Sequence, residues 1–273
     1  MNKQKTIMSI FGTRPEAIKM APVVKAIQES KDLRGMVCIT AQQREMLDQV
    51  LELFDIEPDF DLDIMKHNQS LNEVTAQIVE GLKVVLDDAQ PDLVLVHGDT
   101  TTTMAASLAA FYNRIPVGHV EAGLRTNDIY SPWPEEINRQ LTSRIATLNF
   151  APTVRSRENL LGEGISPDSV HVTGNTVIDA LLETVSLIEG DHRIEQEMAG
   201  RFDFLEPDKK LILVTGHRRE SFGEGFENIC RALSELAEDP GVQILYPVHL
   251  NPNVKGPVYT LLSDRDNISL IEP

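Results

Sequence analysis

Short apolar runs recur from one end of this chain to the other, each closed by polar or glycine-containing punctuation and followed by a stretch with helical spacing. The runs are Thr6 to Phe11, Met36 to Thr40, Leu93 to His97, Val117 to Glu121, Thr147 to Ala151, Leu211 to Thr215, Gln243 to His249 and Ile268 to Ile271. Continuous apolar runs this short read as strands covered on both faces. Alternating with helices, they mark βαβ units, in which each helix carries the chain back so that successive strands lie parallel. The expected fold class is α/β, with doubly wound, Rossmann-like sheets.

Between the first two runs, Ile18, Ala21, Val24 and Ile27 share a helical face, and Thr13 and Glu16 have the spacing of a capping box with Pro15 in the first turn. A helix therefore starts at Thr13, with a kink or boundary expected at Pro22. Helical patterns also run through Leu71 to Asp87, Thr101 to Tyr112, Trp133 to Ser143 and Phe226 to Ala237. Strands thin out between about Asn175 and Lys210, where helical and charged segments such as Glu183 to Arg201 intervene, so a domain boundary is expected near Gly174. Residues 1–174 then form the first Rossmann-like domain and residues 175–273 the second. The second holds three strands, half of the usual doubly wound sheet, so either it is small or the chain is a fragment.

A length of 273 residues favours two domains over one core. Forty-two acidic against 25 basic residues give a net charge of −17, which opposes nucleic-acid backbones and anionic membranes as partners. An anionic small ligand needs a local basic exception. Cys38 and Cys230 each sit in an apolar stretch, which suits reduced thiols better than a disulfide framework. The run from Ile7 to Phe11 is too short for a signal-peptide core, and no later run approaches membrane-spanning length, so the expected location is the cytoplasm.

In open parallel sheets ligands bind beyond the carboxyl ends of the strands, and the residues just after these runs are rich in chemistry. Arg14 and Lys19 flank a helix N-terminus, where unpaired N–H groups and the helix dipole attract phosphate; the alternative is a helix merely capped by Thr13 with two solvated cations. Asp99 and Glu121 end neighbouring runs, and Glu135 and Glu136 follow in Pro132-Trp133-Pro134-Glu135-Glu136. Carboxylates held together raise one another's pKa, which suits general acid and base work. Against this, Asp99 is also a good N-cap for the helix from Thr100, and an acid in a helix's first turn, as at Glu135, is favourable without any function. His217, Arg218 and Arg219 form a compact basic cluster suited to an anionic leaving group, or else a solvated loop. His249, at a strand end before Asn251-Pro252, is weaker evidence. There is no P-loop, G-x-G-x-x-G, C-x-x-C, H-E-x-x-H or G-x-S-x-G. Kinase, nicotinamide-dependent dehydrogenase, zinc hydrolase and α/β-hydrolase readings all lose support.

Seven stretches taken in order carry a family resemblance: Phe11-Gly-Thr-Arg-Pro-Glu-Ala-Ile-Lys19, Val96-His-Gly-Asp-Thr-Thr-Thr-Thr103, Gly118-His-Val-Glu-Ala-Gly-Leu-Arg125, Pro132-Trp-Pro-Glu-Glu136, Thr173-Gly-Asn-Thr-Val-Ile-Asp179, Thr215-Gly-His-Arg-Arg-Glu-Ser221 and Pro247-Val-His-Leu-Asn-Pro252. Together they resemble the bacterial non-hydrolysing UDP-N-acetylglucosamine 2-epimerases over nearly the whole chain. The resemblance implies two Rossmann-like domains of the glycosyltransferase-B kind with substrate between them. It implies a cytoplasmic homodimer that interconverts UDP-GlcNAc and UDP-ManNAc for surface polysaccharide, by elimination and re-addition of UDP through 2-acetamidoglucal. No metal or redox cofactor is implied.

By the same resemblance Arg14, Lys19 and His217 contact the nucleotide diphosphate, Asp99, Glu121 and Glu135 surround the reacting sugar, and His217 joins the catalytic set. Gln42, Glu136, Arg218 and His249 match positions associated with a second, activating UDP-GlcNAc. Gln43 and the stretch His67-Asn68-Gln69-Ser70 depart from the family's pattern near that activator region. The family also continues past Pro273 through a Ser-Gly-Gly segment and a Glu-Glu pair that help hold uridine and phosphates. The chain as written is therefore expected to keep a folded first domain but to be inactive or nearly so. The rival readings are a glycosyltransferase of the same architecture, a fragment that binds nucleotide sugar without turnover, and, closer than either, a hydrolysing 2-epimerase, which would release free ManNAc.

Overall fold

A computed structural model describes residues 4–41, 44–66, 69–216 and 223–272. The chain divides into two compact units, Met1–Leu187 and Ile188–Pro273. The first contains β1 (Lys5–Phe11), α1 (Arg14–Gln28), β2 (Leu33–Ile39), α2 (Arg44–Leu53), β3 (Phe60–Asp61), α3 (Leu71–Ala89), β4 (Leu93–His97), α4 (Thr101–Tyr112), β5 (Val117–Val120), α5 (Glu135–Ile145), β6 (Leu148–Ala151), α6 (Val154–Gly162), β7 (Val170–Val172) and most of α7 (Thr176–Gly190). The strands form one sheet in the order β3-β2-β1-β4-β5-β6-β7, and every recorded pairing in it is parallel.

The period of two along each strand feeds two cores. On β1, Ile7 and Phe11 join Val24 and Ile27 of α1 and Val37 and Ile39 of β2, whereas Met8 and Ile10 face the other way, toward Ile78 and Leu82 of α3 and Ala105 and Ala109 of α4. This two-sided burial is why the strands read as unbroken apolar runs. It also buries Cys38 in the second core, where loss of solvent pushes its thiol up to about 12 and leaves it unreactive. Helix α1 runs on through Pro22 to Gln28, so the expected boundary at Pro22 does not occur. The division between units falls beyond Gly174, because α7 contributes Ala180 to the first core. Strands β3 and β7, two and three residues long, are too brief to stand out in the sequence.

The second unit holds α8 (His192–Arg201), β8 (Lys210–Leu213), α9 (Glu224–Leu236), β9 (Val242–Pro247), α10 (Pro252–Leu262) and β10 (Ile268–Ile271), with a parallel sheet ordered β10-β9-β8. Its core packs Phe226, Cys230 and Leu233 of α9 and Val254, Val258 and Leu262 of α10 against Ile244 and Tyr246 of β9. On the edge strand β8, Leu211 and Leu213 are exposed.

In the first sheet the chain runs outward from β1 to β2 and β3, then returns through α3 to place β4 on the other side of β1. Helices α1 and α4 leave these two strands on opposite faces, so a crevice opens beyond their carboxyl ends. The buried carboxylate of Glu16 ties the two sides of this switch point together. One oxygen accepts the Gly12 and Thr13 N–H groups and the Thr13 hydroxyl at 3.1, 2.9 and 2.8 Å, and the other accepts the Thr100 and Thr103 hydroxyls at 2.7 and 3.1 Å. Gly12 is required beside it, because a side chain there would occupy the space held by Thr40 and Thr102, whose hydroxyls are bonded to each other at 3.1 Å.

Replacing Glu16 by Ala removes the acceptor from five donors in a buried position, and should cost the first unit about 3 kcal/mol. Guanidinium unfolding of parent and variant measures this; an unchanged first-unit transition would rule out the clamp.

Candidate active site

The polar residues after β4, β5 and the loop leading to α5 come together at the crevice. Thr100, not Asp99, caps α4: its hydroxyl accepts the Thr103 N–H at 3.1 Å. The capping alternative for Asp99 is thereby removed. The Asp99 carboxylate instead accepts a hydrogen bond from the Arg139 guanidinium, and its carbonyl accepts one from Asn138 Nδ2 at 2.9 Å. Burial holds the Asp99 carboxyl above its ordinary range; Arg139 opposes that shift, while the charges of Glu135 and Glu121 add to it. The Asp99 carboxyl therefore feels both Glu121 and Glu135 across the crevice.

Glu121 follows β5 with φ +63, a left-handed conformation uncommon outside glycine and favoured where structure fixes a functional side chain. Its carboxylate accepts Lys19 Nζ at 2.9 and 2.7 Å, one bond to each oxygen, and Asn175 Nδ2 at 3.0 Å. Glu135 opens α5, and its Oε2 is buried with no hydrogen-bond partner among the described residues. Glu136, one position on, is fully buried and turned elsewhere. It accepts the N–H groups of Thr126 and Asn127 at 3.1 and 3.2 Å and Gln140 Nε2 at 3.0 Å, with Arg139 at 3.5 Å. Burial alone would raise its pKa, but these donors hold it below the usual carboxylate range. Glu136 thus pins the loop between β5 and α5, and here it presents no free oxygen to a ligand.

The cations are distributed unevenly. Arg14 is half-buried, with no ion pair among the described residues, and Lys19 is engaged by Glu121. The expectation of free N–H groups at the start of α1 is corrected in part, because Glu16 already takes those of Gly12 and Thr13. In the second unit, His249 Nδ1 accepts the Asn251 N–H at 3.1 Å, shaping the turn into α10. Gln42, His217 and Arg218 lie outside the described residues.

Sequence reasoning missed Arg139, Asn138 and Asn175 as parts of this site. Asn138 and Arg139 stand three and four residues after Glu135, the helical spacing that shares a face, which was the available signal. It also missed two histidines beneath the carboxylates. His119 is fully buried between the Gly98 carbonyl, 2.7 Å from Nε2, and the Ser143 hydroxyl, 3.2 Å from Nδ1. His97 is 3% exposed, and neither ring nitrogen has a hydrogen-bond partner among the described residues. Burial pushes both imidazoles down to about 3, so both are neutral near pH 7. A separate cavity of about 580 Å³ between α1 and α7 is lined by Lys25, which pairs with Glu183 at 3.3 Å, by Glu29 and Asp179, and by apolar residues such as Leu182 and Leu187.

Residues 25–273 match the family model described as UDP-N-acetylglucosamine 2-epimerase. A UDP-N-acetylglucosamine 2-epimerase of Yersinia pestis is 60% identical over 268 residues, covering 98% of this chain and 71% of the relative. The crystal structure of UDP-GlcNAc 2-epimerase from Neisseria meningitidis bound to UDP-GlcNAc is similar with a TM-score of 0.93 at 56% identity, covering 98% of this chain and 72% of that one. A lipopolysaccharide outer core galactosyltransferase in its apo form, 12% identical with a TM-score of 0.51 over 97% of this chain and 67% of its own, is alike in fold alone.

The depressed histidines set a pH dependence of stability. Each binds a proton in the unfolded chain below about pH 6.5 but not in the folded one until about pH 3, so stability is full above that window and is lost as pH falls through it. Each contributes up to about 1.4 kcal/mol per pH unit within the window. His119→Gln should therefore flatten the fall in first-unit stability between pH 6 and pH 4 by about that slope. Thermal melts in a pH series read this, and parallel curves for parent and variant would contradict it.

Proposed function

Since the chain belongs to the UDP-N-acetylglucosamine 2-epimerase family, we propose that it interconverts UDP-GlcNAc and UDP-ManNAc at the crevice where Asp99, Glu121 and Glu135 meet Lys19, Arg139 and Arg14. The observation that carries this reading is the placing of Asp99, from the end of β4, within electrostatic reach of both Glu121, from the end of β5, and Glu135, at the start of α5. They stand beside cations in a chain that is otherwise strongly acidic.

In the proposed reaction a carboxylate takes the proton from the second ring carbon while the anomeric C–O bond breaks. The C–H electron pair becomes the C1–C2 double bond of 2-acetamidoglucal, and UDP leaves with the C–O pair. Re-addition of UDP with a proton delivered to the opposite face inverts the second carbon. That proton is not acidic in the ground state, so its loss needs stabilisation of the departing diphosphate, the role given to Arg14, Lys19 and His217. Asp99, whose carboxyl is held above its ordinary range, is suited to carrying a proton. Glu135, with one buried oxygen unpartnered, is free to accept one. Arg139 orients Asp99 from the same helix that presents Glu135.

The same reading carries a cytoplasmic homodimer that supplies ManNAc units for surface polysaccharide, with an activating second UDP-GlcNAc held by Gln42, Arg218 and His249, while Glu136, matched to the same site by the family pattern, acts only through the loop it fixes. Its support is the family itself and, for a reducing compartment, the free and buried Cys38 and Cys230. Among the described residues no helix is long and apolar enough to cross a membrane. A glycosyltransferase reading is not favoured, since that likeness extends to fold only.

Incubation of a chain spanning the full length of the relatives with UDP-GlcNAc and no acceptor should yield UDP-ManNAc by NMR, and in deuterium oxide the epimer should carry deuterium at the second ring carbon. An epimer formed without deuterium would point to oxidation and reduction instead. In a chain spanning the full length of the relatives, Asp99→Asn should keep the fold, because Thr100 supplies the cap, yet lower turnover by about 100-fold or more. Turnover close to that of the parent would remove Asp99 from the mechanism.

A further inference from the structure

Two features of the first unit do not fit an acid–base site at rest. Glu121, expected to act on the sugar, has both oxygens occupied by Lys19 Nζ at 2.9 and 2.7 Å, and Asn175 adds a third bond at 3.0 Å. A carboxylate so engaged is not placed to reach a substrate proton. Directly beside it, His97 is almost fully buried with both ring nitrogens unpartnered among the described residues, which folded proteins ordinarily avoid. Its Nε2 stands 3.9 Å from Glu121 Oε1, just beyond hydrogen-bond distance.

Resting on the reading above, in which the ligand carries a diphosphate, we propose that Glu121 passes from one donor to another as that ligand arrives: the diphosphate draws Lys19 away, and His97 acts as a positioning residue by donating to the oxygen left vacant. Several physical points favour the exchange. Lysine is a flexible point charge with three rotatable donors, able to leave one acceptor for another, and a diphosphate offers it more negative charge than one carboxylate. Arg14, at the start of the same helix, has no competing ion pair among the described residues and adds to the pull. A neutral imidazole keeps one N–H, and a movement of about 1 Å brings it to hydrogen-bond distance. Asn175 stays on Oε2 throughout, so the carboxylate turns without being lost from its place. The exchange fills the unmet bonding of His97 and keeps Glu121 shielded until a diphosphate is in place.

The test starts with UDP as the probe in calorimetric titrations, in a chain spanning the full length of the relatives, of the parent, Glu121→Gln, Lys19→Met and the double variant. Glu121→Gln is expected to tighten UDP binding several-fold by freeing Lys19, and this gain is expected to vanish in the Lys19→Met background. Weaker binding by Glu121→Gln overturns the proposal, since the contact would then be holding Lys19 ready for the ligand. An equal gain in both backgrounds overturns it as well, because only general charge repulsion would be at work. Failure of that parent to bind UDP overturns the diphosphate reading on which the exchange rests, whereas a parent that binds UDP while the variants show no Lys19-dependent gain overturns the exchange alone. Ring ¹⁵N spectra across the same titration should show Nε2 of His97 entering a hydrogen bond, and an unchanged signal counts against the exchange even if turnover is never detected. In turnover, His97→Leu should lower kcat about tenfold with KM nearly unchanged, and His97→Gln, which retains an N–H, should restore most of it. Equal losses in the two variants would reduce His97 to a packing residue.

Discussion

A carboxyl group buried in a protein interior needs partners for its oxygens, and Glu16 meets five, drawn from the loop after β1 and from the start of α4; burial still holds its pKa above the ordinary value, against the pull of these donors. These segments lead into helices on opposite faces of the sheet, so the contact spans the point where strand order reverses. The clamp holds the loop after β1 against Thr100, the residue that follows Asp99. Gly12 belongs to the same device, since the hydroxyls of Thr40 and Thr102 leave no room for a side chain between the two arms.

Around the clamp the charges are matched locally. Arg139 lies between Asp99 and Glu136, and Lys19 lies against Glu121, so the positive groups of an acidic chain are held where acids converge. The two neighbouring glutamates of α5 show how one residue step divides roles. Glu136 is buried against backbone N–H groups and fixes the long loop from β5, while Glu135 keeps an unpartnered oxygen at the site. The neutral histidines beneath complete the layer: His119 bridges the Gly98 carbonyl and Ser143, and His97 fills the space under Glu121. Preorganisation of this kind raises the weight of each electrostatic contact, because the surrounding protein excludes water.

Much of this was legible along the chain. Eight strands were readable because strands buried on both faces must be continuously apolar, and α4 begins and ends where its helical pattern does. Strands of two or three residues, such as β3 and β7, carry no period to detect, and the place of α7 depended on what Ala180 touches. The capping question at Asp99 was also closed to sequence reasoning. Asp and Thr at successive positions are both good caps, and only the fold decided that Thr100 turns inward and Asp99 turns to Arg139.

The sequence by itself determined the α/β class, the family, and the residue types that stand at the strand ends, because these follow from local periodicity and from short motifs whose spacing is fixed by the chain. Tertiary structure alone decided the partners. Lys19 and Glu121 are 102 residues apart, and Asp99 and Arg139 are 40 apart. Whether a charge at such a separation is solvated, paired or buried depends on which elements the sheet order brings side by side. That order is settled by the packing of two cores at once, which no local pattern records.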